Sequence, residues 1–108
     1  MFIAVASLAM MAATAPSADA VGNGRKDFTK CLSAQVKPAM DAKMSTGDFQ
    51  ASLKKVCATQ EAAFRAAIIA QDKADKMSDS ASASDADDQI GEYVDKITSE
   101  YEESSHPG

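Results

Sequence analysis

Histidine occurs once, as His106, tryptophan not at all and cysteine only twice in this chain of 108 residues. Each scarcity excludes a chemistry. A catalytic triad or a Cys-His pair needs an imidazole beside its nucleophile, and His106 sits in a terminal Ser-His-Pro-Gly tail that reads as solvated. Zinc needs three or four convergent ligands, more than two cysteines supply once they pair with each other. The glycines, Gly22, Gly24, Gly47, Gly91 and Gly108, are scattered and form no phosphate-cradling loop. Asn23 is followed by Gly24 and Arg25, so there is no glycosylation sequon. A chain this short holds one small domain, with little volume for a catalytic cleft. No catalytic residue, cofactor or metal is expected, and the sequence reads as a non-enzyme.

What is abundant at the start is apolar. From Phe2 to Ala15 only Ser7 and Thr14 are polar and no residue is charged. The run has the length of a signal-peptide h-region and is too short to span a bilayer as a helix. Ser17-Ala18-Asp19-Ala20 then supplies small residues at the -3 and -1 positions of a cut after Ala20. Residues 1–20 therefore read as a signal peptide, although no Lys or Arg precedes the apolar run as signals usually have. The mature chain would be exported to a periplasmic or extracellular compartment, with no stable membrane insertion after cleavage. In an oxidising compartment Cys31 and Cys57 are expected to form a disulfide.

Charge is divided unevenly. Residues 21–60 carry seven basic and three acidic side chains, whereas 61–108 carry four basic and twelve acidic ones. The acidic half argues against nucleic acid or anionic lipid as main partners, because both require clustered Lys and Arg.

The apolar pattern is helical throughout. Phe28, Cys31, Leu32, Val36, Met40 and Met44 recur every three or four residues, predicting a helix over 27–44 with a kink near Ala34 caused by Pro38. Met40 and Met44 read as core filling rather than as thioether ligands. Ser45 and Asp48 predict a capping box, followed by a helix over 47–77. The two cysteines lie 13 residues either side of Met44, so an antiparallel hairpin brings them level and sets Leu32 near Val56, Val36 near Leu53 and Met40 near Phe49. The Ser/Ala/Asp stretch 78–84 reads as a linker. Ser84 with Asp87 predicts a second capping box and a third helix over 85–103, with its stripe on Ala86, Ile90, Tyr93, Val94, Ile97 and Tyr101. Gly91 within it marks a candidate close helix crossing. Asp85, Asp87 and Asp88 fail as a calcium loop, since position six is Ile90 and position twelve Lys96. The tail 106–108 is expected to fray. The expected architecture is a single all-α domain over 21–105, a disulfide-linked antiparallel helical hairpin plus a third amphipathic helix.

Function follows as an expectation of class. A small exported binding protein fits best, with a protein partner or client contacting Phe64, Ile68, Ile69, Tyr93, Val94, Ile97 and Tyr101 between the second and third helices. Of adjacent Ile68 and Ile69, one should remain partly exposed. In outline, and in the stretch Cys57-Ala58-Thr59-Gln60-Glu61-Ala62-Ala63-Phe64, the chain resembles the small acid-activated periplasmic chaperones, which are helical, short, disulfide-linked and rich in carboxylates. The cysteine spacing here is shorter than theirs. The resemblance implies client binding triggered by acid. The alternative is a secreted inhibitor or accessory subunit docking on a larger envelope protein.

Overall fold

The computed structural model describes residues 18–105. The apolar run of the expected signal peptide and the tail 106–108, with His106, lie outside them. Five helices make up the described residues: α1 (Ala18–Ala34), α2 (Val36–Asp41), α3 (Thr46–Val56), α4 (Ala58–Ala74) and α5 (Asp79–Ser105). Among them no helix is long and apolar enough to cross a membrane.

The expected first helix starts earlier and is divided in two. Pro38 has no N–H to give Ala34, and its ring crowds that carbonyl. The backbone answers by tightening, with Gln35 N–H donating to Leu32 O at 3.1 Å, and α2 restarts at Val36. The kink expected near Ala34 is this joint. Ser45 caps α3 as expected, its hydroxyl accepting from Asp48 N–H at 3.1 Å. The expected second helix bends at Cys57 (φ -101°, ψ 21°), where Cys57 N–H still donates to Leu53 O and Glu61 N–H to Cys57 O.

The disulfide joins Cys31 to Cys57, with Cα atoms 5.9 Å apart. The hairpin, however, runs outward from it and not inward. α1 packs along α4, and the register of the bridge continues there, where Gly24 faces Phe64 so closely that a Cβ on Gly24 would lie 3.1 Å from Phe64 Cα. The close crossing expected at Gly91 is not observed, since a Cβ there would meet nothing within 4 Å. The segment between the cysteines does not zip into helical pairs. Val56 is 52% exposed and cannot mate with buried Leu32, and Met40 is 37% exposed. Instead α2 and α3 fold over the C-terminal end of α5.

Tyr101 organises that end. Its fully buried ring stacks on Phe49 at 4.1 Å between centroids, and its hydroxyl donates to Met44 O, with Ala39 O at 3.2 Å. The α2 turn ends in a Schellman arrangement, Met44 N–H to Ala39 O and Lys43 N–H to Met40 O, with Lys43 in the left-handed region at φ 54°. α4 ends the same way, with Met77 N–H on Asp72 O, Lys76 N–H on Lys73 O and Lys76 at φ 73°.

The stretch 78–84 is helix and not linker. Ser78 rather than Ser84 is the cap, its hydroxyl accepting from Ala81 N–H at 3.1 Å. Small side chains explain the earlier start, because Ser82 and Ala86 are fully buried and let α5 lie close. Ser82 satisfies its own hydroxyl on Asp79 O at 3.0 Å. One core then runs the length of the molecule, from Phe28, Leu32 and Phe64 through Ile68, Ile90 and Val94 to Phe49, Leu53 and Tyr101.

Candidate functional site

The seven residues expected to contact a partner do not share one surface. Phe64, Ile68 and Val94 are buried in the core, so the seam between α4 and α5 is closed, and Tyr101 is buried apart from them beneath α2 and α3. Tyr93 and Ile97 are half-buried and open on the α1 side, where they meet Leu32 in a furrow between α1 and α5. Ile69 is half-buried on the opposite side of α4, beside Ala62, Arg65 and Ala66. Ile68 is thus the covered member of the isoleucine pair and Ile69 the partly open one, as their adjacency on a helix requires.

An aromatic cluster lies beneath the furrow. Phe64 is 5.8 Å from Phe28 and meets Tyr93 edge-on at 6.0 Å. The Arg25 guanidinium lies over the Phe64 ring, 5.9 Å from its centroid. Arg25, Lys26 and Lys96 rim the furrow, with Glu100 a turn beyond Lys96. The helix predicted over 27–44 excludes Arg25 and Lys26, which α1 includes. Their spacing with Gly22, Thr29 and Ser33 at three and four residues is the signal that a longer helix would have revealed.

The seam between α4 and α5 is laced by charge. Arg65 donates to Asp87 across it and approaches Glu61 on its own helix at 3.7 Å, while Lys73 reaches Asp79 at 3.0 Å. Asp87 therefore stabilises an inter-helix contact, not the first turn of a helix. Asp72 on α4 faces Asp85 on α5, and Gln89 holds Asp85 by donating to its Oδ2 at 3.1 Å. One Asp72 oxygen, Oδ2, is buried without a hydrogen-bond donor, because the group it meets is itself an acceptor. Hydrogen bonding to Asp85, then burial, then the charges of Asp85 and Asp75 raise the Asp72 carboxyl from 3.8 to about 6. Protonated Asp72 supplies the donor that the pair lacks.

The arrangement buries its apolar side chains beneath a charged seam between α4 and α5 and leaves a separate cationic furrow open. No protein-family model, curated protein or solved structure matches this chain.

Proposed function

We propose that this chain is a small exported, non-catalytic binding protein of the stress-chaperone kind. It holds its client-contacting side chains inside the α4–α5 seam until acid opens it. The observation that carries the reading is that Phe64, Ile68 and Val94 are buried along α4 and α5, which the surface ion pairs Arg65–Asp87 and Lys73–Asp79 join at neutral pH. Protonating the carboxylates removes both pairs. The chain beyond residue 20 carries eleven basic and fifteen acidic side chains, so the same protonation removes all fifteen negative charges and leaves at least eleven positive ones. Self-repulsion then favours separation of the helices.

The disulfide and the small domain suit an oxidising compartment, which supports the exported reading. The test is light scattering of a denaturing client protein with and without this protein. Suppressed scattering at pH 2 to 3 and none at pH 7 is the expected result; coinciding traces in acid overturn the proposal. A secreted inhibitor or accessory subunit is the second reading, favoured by the open Val56 and Ile69 on the outer side of α3 and α4. It predicts one recurrent crosslinked partner at neutral pH in place of many clients in acid.

A further inference from the structure

The cationic furrow between α1 and α5 lies apart from the ion pairs that join α4 to α5. Arg25, Lys26 and Lys96 stand around an apolar floor of Leu32, Tyr93 and Ile97, in a chain of formal charge -5. None of the three cations forms an ion pair with a described residue, whereas Arg65, on the seam, has two acids. Arg25 is half-buried with its guanidinium 5.9 Å from the Phe64 ring centroid, and with no acid paired to it the donors of its planar fork remain for a ligand. A positioned guanidinium over an apolar floor is the arrangement that recognises a carboxylate attached to an apolar body.

We propose that the furrow between α1 and α5 binds a free amphipathic carboxylate of the medium-chain fatty-acid class. The Arg25 fork takes the carboxylate within the field of Lys26 and Lys96, and the chain lies on Leu32, Tyr93 and Ile97. The furrow's volume, about 390 Å³, falls within the range of small-molecule sites. It extends along α1 from Gly22 to Ser33, about 16 Å at the helical rise, which suits a chain of medium length. Glu100 makes the far end of the furrow unfavourable for an anion and so orients the ligand toward Arg25. An anionic membrane surface laid across the furrow would meet Glu100 within it and a chain of formal charge -5 around it, which is why a free molecule is the favoured occupant. Gly22 leaves the furrow open, since a Cβ there would meet nothing within 4 Å.

The experiment is calorimetric titration of the oxidised protein at pH 7 with dodecanoate. Dodecyltrimethylammonium and anionic phospholipid vesicles serve as parallel probes, and amide NMR shifts locate the site. Saturable one-to-one binding of dodecanoate is expected, with shifts on Tyr93, Lys96 and Ile97. Arg25→Gln should weaken it at least tenfold. Gly22→Phe, which fills the furrow from a position free of neighbours, should abolish it with the helical circular dichroism unchanged. Absent saturation, equal affinity for the trimethylammonium probe, binding to vesicles only, or indifference to both substitutions overturns the proposal. Because the readout is taken on the closed protein at neutral pH, its outcome is separate from that of client protection in acid.

Discussion

At the scale of single residues, two lysines occupy positions that the backbone reserves for glycine. Lys43 and Lys76 adopt left-handed φ values of 54° and 73°, each at the end of a helix closed by a Schellman pair of hydrogen bonds. For a residue with a Cβ that conformation costs roughly 1–2 kcal/mol, and glycine escapes most of it. Neither lysine is drawn into an ion pair with a described residue, so little is lost on substitution. Lys43→Gly and Lys76→Gly are each expected to stabilise the protein by about 1 kcal/mol, net of glycine's greater freedom in the unfolded chain, read as raised midpoints in chemical denaturation. Asp72 carries a pH dependence of opposite character to ordinary acid denaturation. Its folded value of about 6 exceeds the ordinary 3.8, so the folded state binds the proton more tightly. The stability this group contributes is complete below about 4 and is lost as pH rises through about 6. Thermal midpoints should therefore climb from pH 7.5 to pH 5. In Asp72→Asn, whose amide donates to Asp85 at every pH, that climb should flatten; equal slopes in the two proteins would refute the assignment.

Between elements, the decisive contact is the crossing of α1 and α4 at Gly24. A methyl group there meets the backbone of fully buried Phe64 at 3.1 Å, and backbone flanked by a packed ring has nowhere to go. Gly24→Ala is expected to destabilise despite alanine's better helix propensity. Gly91→Ala, facing open space, should gain about 1 kcal/mol. The opposite signs are checked by one pair of urea titrations, and a gain at both sites would mean that the helices are not this close. Loss of the disulfide by Cys31→Ser with Cys57→Ser should cost roughly 3–4 kcal/mol by loop entropy. The bridge, the break before Val36 and the Ser45 cap were all legible in the sequence because each follows from a local rule or from a single pairing. The placement of α2 and α3 was not, because the residues between the cysteines satisfy two alternatives, each other or the end of α5. The stacking of Phe49 on Tyr101 decides between them across a long sequence separation. Ser78 and Ser84 obey the same capping rule equally well, and only the burial of Ser82 and Ala86 selects the earlier one. Of the candidate contact residues, periodicity identified the apolar stripes correctly but not which members remain open, since that depends on where α1 lies.

Over the whole molecule, charge is the variable that couples fold to environment. At neutral pH a basic stretch, net +4 over residues 21–60, is packed against an acidic one, net -8 over 61–108, and ion pairs join α4 to α5. In strong acid the opposite signs disappear and every element repels every other. Two effects then compete as pH falls. Protonation of Asp72 tightens the seam as pH falls through about 6 and so opposes opening in mild acid, whereas the loss of all carboxylate charge in strong acid removes the ion pairs across it. Opening is thus expected in strong acid, at pH 2 to 3, and not at pH 5. Repulsion among eleven like charges is screened by salt, the Debye length falling from about 10 Å at 0.1 M to about 3 Å at 1 M, whereas core burial is not weakened by it. If charge repulsion opens the seam, then at pH 2.5 added sodium chloride should reclose it: the radius of gyration should contract and client protection fade together. An open form that persists in high salt, or protection that outlasts the contraction, would show that buried-carboxyl chemistry or simple unfolding, and not net charge, exposes the apolar seam.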